Sequence, residues 1–136
     1  LRAPFLCAVK GGVYWMMLTL LPDRLAVCRL SDSLGVDISR PYTFLSITDD
    51  EFSLVCPEQN VPISALQVEL GWRAFRICGT LAFTLTGILA GITGVLADAG
   101  ISLFALSTYN TDYVLVKASS LKAAVAALEA GGYQIV

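Results

Sequence analysis

Asp112 is an isolated carboxylate in a polar corner, Ser107-Thr108-Tyr109-Asn110-Thr111-Asp112, between two apolar runs. Hydroxyls, main-chain N–H groups and one carboxylate within a few residues are the mixture a small zwitterion needs. Its ammonium takes carboxylate and carbonyl oxygens, and its carboxylate takes N–H donors at a helix N-terminus or a strand edge. Two other places offer such donors. One is the turn Leu85-Thr86-Gly87, where Gly87 admits a ligand close to the backbone. The other is the strand start at Ser102 and Leu103. With Thr108, Tyr109 and Asp112 they make the candidate ligand-binding set. Each has a plainer structural reading. Asp112 reads as a hairpin-turn residue, Ser102 and Thr108 as solvent-facing strand polars, Tyr109 as packing on a neighbouring sheet, and Gly87 as room for helix packing. Asp98 reads as solvated in a last helical turn.

Little else in the chain could do chemistry. There is no His, which removes Ser/His and Cys/His dyads, imidazole metal ligands and the usual general base. No phosphate-binding glycine loop follows a strand, and no G-x-S-x-G is present. Asp49, Asp50 and Glu51 are adjacent, so in an extended turn they cannot all face one cation; they read as a solvated corner. Cys7, Cys28, Cys56 and Cys78 are widely spaced in apolar contexts with no C-x-x-C pair. They read as buried free thiols in a reducing cytoplasm rather than as a redox or zinc site. No cofactor is expected. Nine basic residues against 11 acidic give a net charge of −2, and no basic run marks a nucleic-acid footprint.

Hydrophobic residues make up 56% of the 136 positions and charged residues 15%, below the roughly 25% charged share of a typical soluble domain. A chain so short of polar surface is expected to hide apolar faces against a second copy or another module. Residues 77–97 run without a charge, long enough to span a membrane. Gly79, Thr80 and further Gly and Thr residues interrupt that run, and it reads better as a strand end followed by a helix. No membrane partner is expected. Leu1 to Trp15 fit the rest poorly, because Lys10-Gly11-Gly12 breaks their apolar stretch. They read as an extension of little structural weight, with the natural start at Met16 or Met17.

Strands are expected at 17–21 and 25–30 around Pro22-Asp23, at 43–48 and 52–56 around Asp49-Asp50, and at 72–78. Residues 57–71 hold at most a short helix, from about Pro62. A helix runs from about Thr86 to Ala99 with Gly100 as its C′ residue. Strands 101–107 and 113–117 follow. Ser119 or Ser120 caps a last helix, whose apolar face is Leu121, Ala124, Val125 and Leu128. A strand at 133–136 ends the chain. Strand–helix–strand–strand–helix–strand is the ferredoxin-like unit, an α+β fold. An echo at an offset of 61 aligns Leu45-Ser46 with Leu106-Ser107 and Phe52-Ser53-Leu54-Val55 with Tyr113-Val114-Leu115-Val116. It predicts two related modules, 16–71 and 72–136, the first with most of its first helix lost.

The segments Leu18-Thr19-Leu20-Leu21-Pro22, Leu25 to Leu30, Gly71-Trp72-Arg73 and, above all, Leu106-Ser107-Thr108-Tyr109-Asn110-Thr111-Asp112-Tyr113-Val114-Leu115-Val116 carry a resemblance. They look like bacterial ACT-domain proteins akin to the CASTOR arginine sensors and the regulatory half of aspartate kinases. The resemblance covers about 17–136 and implies tandem ferredoxin-like ACT modules binding an amino acid at an inter-module or inter-subunit interface. Under it, Ser102 and Leu103 fall where ligand-contacting backbone lies, and Thr108, Tyr109 and Asp112 fall on the second half-site. Leu85 falls where the arginine sensors use an acidic residue in one module, so the resemblance implies a neutral or apolar amino acid. The chain is half the length of those sensors, which implies a homodimer. The expected protein is cytoplasmic, non-catalytic and allosteric, with a possible target enzyme. The competing reading is an interaction subunit with a vestigial pocket.

Overall fold

The computed structural model describes residues 7–10, 13–78 and 87–136. The chain divides into two compact units. One comprises the segments up to Leu21 and from Arg73 to Val136; the other is Pro22–Trp72. The expected boundary at 71/72 differs from this division. Met16 to Leu21 belong with the C-terminal segments, because β2 (Val13–Leu20) pairs with β6 (Gln67–Ile77) at Leu18↔Ile77 and with β9 (Tyr133–Ile135) at Leu18↔Ile135.

In the larger unit the strand order is β9-β2-β6-β8-β7, with β7 at Leu103–Ser107 and β8 at Asp112–Lys117. Two helices, α1 (Ile88–Asp98) and α2 (Leu121–Ala130), cover one face. Their apolar stripes supply Ile92, Leu96, Ala124 and Leu128 to a core closed by Leu18, Phe75, Ile77, Val114 and Val116. Strand alternation accounts for this selection, since Val114 and Val116 face the helices and Leu115 between them does not. Burying each Leu of this set contributes about 2 kcal/mol. The end of α1 follows the expected Gly100 signal. Gly100 (φ 73°) donates its N–H to the Ala97 carbonyl, and Ile101 donates to Leu96. These two bonds form a Schellman cap, with Ile101 packed in the core beside Leu96. Ser120 stands at the N-cap position of α2, as expected, but makes no side-chain cap; a 3-10 turn over Ala118–Ser120 leads into the helix instead.

In the smaller unit the order is β6-β3-β5-β4, with β3 at Leu25–Leu30, β4 at Phe44–Ile47 and β5 at Phe52–Pro57. The larger unit keeps this order of last, first, third and second strand, with β2 set between its last and first. No α-helix occurs among residues 22–72, so more than the first helix is missing there. Loop residues Val36, Val61 and Ala65 cover Ala26, Cys28, Leu30, Leu54 and Cys56 in place of helices.

The internal echo is present with an offset of 60, not 61. Phe52–Pro57 and its following 3-10 turn Glu58–Asn60 correspond to Asp112–Lys117 and Ala118–Ser120. The corners agree as well: the Thr48 N–H donates to the Glu51 carbonyl (3.0 Å), and the Thr108 N–H to that of Thr111 (2.9 Å). Of the stretch Leu1 to Trp15, expected to carry little structural weight, residues 1–6 lie outside the described residues, and residues 7–10 and 13–15 are paired strand. β1 (Cys7–Lys10) pairs antiparallel with β2 from Cys7↔Met16 to Lys10↔Val13. Gly11-Gly12, read above as a break, lies outside the described residues. The charge-free run does not form one helix: β6 ends at Ile77 and α1 begins at Ile88. No helix among the described residues is long and apolar enough to cross a membrane.

Candidate functional site

The polar corner is built from the backbone outward. Ser107 and Asp112 are the last register pair of the β7–β8 hairpin. Across the corner, the Thr108 hydroxyl and N–H both donate to the Thr111 carbonyl, at 3.0 and 2.9 Å. The Thr111 hydroxyl points inward and donates to the Ile77 carbonyl at 2.8 Å. Thr111 is buried, whereas Thr108 and Tyr109 are exposed and Asp112 is half-buried. Thr111 is absent from the candidate set, yet it fixes where the candidates stand. Its only sequence signal is a hydroxyl that continues the apolar alternation of β8.

Gly87 is the N-cap residue of α1, at φ 79°, with no side-chain cap. The first helical bond is from the Gly91 N–H to the Gly87 carbonyl. The amides of Ile88, Leu89 and Ala90 precede that bond and have no intrahelical acceptor, which gives this end of the helix its affinity for negative charge. Leu85 and Thr86 lie outside the described residues.

The candidates fall at two ends of the larger unit. The corner is bonded to the end of β6, and α1, which starts after β6, runs back to reach β7 through a four-residue connection. Gly87 and the group Thr108, Tyr109 and Asp112 therefore share one end. Ser102, exposed, and Leu103, first residue of β7, stand at the other end. The length of β7, about 13 Å at its per-residue rise, separates the two groups. One copy of this unit does not bring all the candidates together. Among the described residues β7 pairs only with β8.

In the smaller unit, the homologous corner directs its polar groups differently. The Thr48 hydroxyl donates to the Asp50 carboxylate (2.7 Å) and accepts the Glu51 N–H (3.1 Å). On the sheet face away from that unit's core, an open depression of about 620 Å³ is lined by Arg29, Glu51, Ser53, Gln67 and Glu69 among others. None of the candidate residues lines it. Cys28 and Cys56 are buried free thiols in that unit's core. Burial, and secondarily the neighbouring Cys28 thiol, pushes Cys56 up to about 12, and burial also raises Cys28. Neither is a reactive thiolate near neutral pH. Cys78 accepts or donates a bond with the Thr19 hydroxyl at 3.0 Å. Among the described residues, no group of Cys, Asp and Glu could hold a metal ion.

Residues 67–130 match the family model of the ACT domain. The fold is the mixed α+β arrangement of the ferredoxin-like ACT fold. A structural-genomics protein from Agrobacterium tumefaciens is 28% identical, with a TM-score of 0.79 over 90% of this chain and 92% of that one. The regulatory subunit of aspartate kinase from Thermus thermophilus is 9% identical, with a TM-score of 0.58 over 84% of this chain and 95% of that one. The aspartate kinase of Clostridium acetobutylicum is 12% identical, with a TM-score of 0.61 over 85% of this chain and 34% of that one. No curated protein matches the chain.

Proposed function

We propose that this chain is a non-catalytic regulatory domain of the ACT type that binds a small amino acid at a site completed by a second module. The match of residues 67–130 with the ACT domain carries this reading. Three features of the larger unit support it. The uncapped start of α1 suits the ligand carboxylate. Asp112, at the same end of the unit, suits the ammonium. Ser102 and Leu103, at the far end of β7, suit a half-site presented to another module, and a homodimer supplies one. The bound amino acid is neutral or apolar, because Leu85 stands where the arginine sensors carry an acid. The domain is cytoplasmic, and it passes the bound state on to a target enzyme through its surface.

A thermal-shift screen against the common amino acids tests this. A ligand at about 100 times its Kd adds about 2.7 kcal/mol of stability, which moves Tm by several degrees. Asp112→Ala is expected to remove the shift and leave the unliganded Tm unchanged. If no amino acid at millimolar concentration moves Tm, the pocket is vestigial and the proposal fails. If the shift survives Asp112→Ala, the site is elsewhere.

A further inference from the structure

We propose that the strip Leu66-Val68-Leu70 in the smaller unit is a docking surface for an amphipathic helix of a partner protein, with cationic side chains beside its apolar stripe. The surface shares no residue with the amino-acid site and does not depend on it.

The register Cys28↔Val68 puts Val68 on the face of the sheet that carries that unit's core. Leu70, two positions on in the same strand, shares that face, and Leu66 stands immediately before the strand, its N–H on the Arg29 carbonyl. All three are exposed, Leu66 at 59%, Val68 at 42% and Leu70 at 56%. Gln67 and Glu69 alternate with these positions and so face the other side of the sheet; both line the depression, as does Val68. The strand therefore presents its apolar positions, not its polar ones, to solvent on this side. Three large aliphatic residues in a row are more than scattered surface apolarity.

The larger unit shows what fits such a strip. Its last strand, β9, places Tyr133 and Ile135 on the corresponding face, where they pack against the core that α2 closes with Ala124 and Leu128. In the smaller unit the connection from β5 to β6 is too short for a helix. Its Val61 and Ala65 pack on the cluster of Ala26, Cys28, Leu30, Leu54 and Cys56, which takes no residue from the last strand. The strip is about 13 Å long, which two to three turns of helix would cover.

Charge selects the kind of helix. Residues 22–72 carry eight carboxylates against three arginines, a net of −5, whereas the rest of the chain has three against six, a net of +3. A helix approaching the smaller unit is attracted if it is basic and repelled if it is acidic.

The test uses the full chain and two labelled 14-residue helical peptides, each with Leu on one face at three- and four-residue spacing. One has Lys on the other face and the second has Glu. Fluorescence anisotropy is expected to show saturable binding of the Lys peptide and binding at least about tenfold weaker for the Glu peptide. Val68→Thr/Leu70→Thr, which keeps strand propensity, is expected to weaken the Lys peptide at least about tenfold with Tm unchanged. Hydrogen exchange on the unmutated chain is expected to show peptide-induced protection centred on residues 66–70, a readout that holds even if the double variant unfolds. Absence of saturable binding, equal binding of both peptides, or protection elsewhere overturns the proposal. So does self-association of the unmutated chain that the double variant loses, which would make a second copy the occupant.

Discussion

The Thr111 hydroxyl donates to the Ile77 carbonyl at 2.8 Å, across 34 positions of sequence. One buried bond thus joins the β7–β8 corner to the end of β6 and sets the position of Asp112 in the next residue. Thr111→Val keeps the shape of the side chain and deletes the donor. It is expected to cost about 1–2 kcal/mol, because a buried acceptor loses its partner. Urea unfolding reads that loss as a lower midpoint at unchanged m-value. Thr111→Ser keeps the hydroxyl and is expected to retain most of the stability. If Val and the parent chain unfold at the same midpoint, the bond does not hold the corner.

Gly91 and Tyr133 form a second such pair. A Cβ built on Gly91 would stand 2.8 Å from the Tyr133 hydroxyl oxygen. Gly→Ala inside a helix ordinarily gains up to about 1 kcal/mol. Here the clash is expected to cancel that gain. Tyr133→Phe removes the oxygen, so Gly91→Ala is expected to be stabilising in that background. A double-mutant cycle measured by urea unfolding should give a coupling of about 1 kcal/mol between the two positions. Additive effects would show that Tyr133 moves aside without cost. Gly87 and Gly91 thus each have a local cause. One glycine caps α1 and the other makes room for β9.

Where one strong local rule acts, the sequence was readable. The Gly100 cap, the Leu25–Leu30 strand, the two helices with their apolar stripes and the Asp49-Asp50 corner all follow from residue type and spacing. The start of β6 does not. Its first residues, Gln67 to Leu70, carry an exposed apolar alternation, and Gly71 reads as a stop. In the structure Gly71 (φ 80°) sits inside the strand, beside the register shift opposite Leu25 and Val27, where a glycine bulge bends a strand without ending it. The role of β2 was hidden for another reason. Pairing with β9 is a long-range event, and no local pattern in residues 13–20 announces it. The candidate site was readable only in part. Polar side chains at a corner are visible in a sequence, but which end of a strand each one occupies depends on the order of the strands.

Cys56 gives a test of the smaller unit's core. Its thiol is pushed up to about 12 in the folded chain, by burial first and then by Cys28. The unfolded thiol titrates near its ordinary value of 9.0. Below pH 9 both states hold the proton, and the thiol makes stability independent of pH. Between about pH 9 and 12 the unfolded chain has released it and the folded chain has not. Unfolding then becomes easier as pH rises, by up to about 1.4 kcal/mol per pH unit for this one group. Guanidinium midpoints measured from pH 8 to 11 are expected to fall for the parent chain. Cys56→Ala lowers stability at pH 8 by leaving a small void, and the fall toward pH 11 is expected to be shallower. Parallel curves for the two proteins would mean that the thiol loses its proton as readily in the fold as in water, contrary to its burial beneath Val36, Val61 and Ala65.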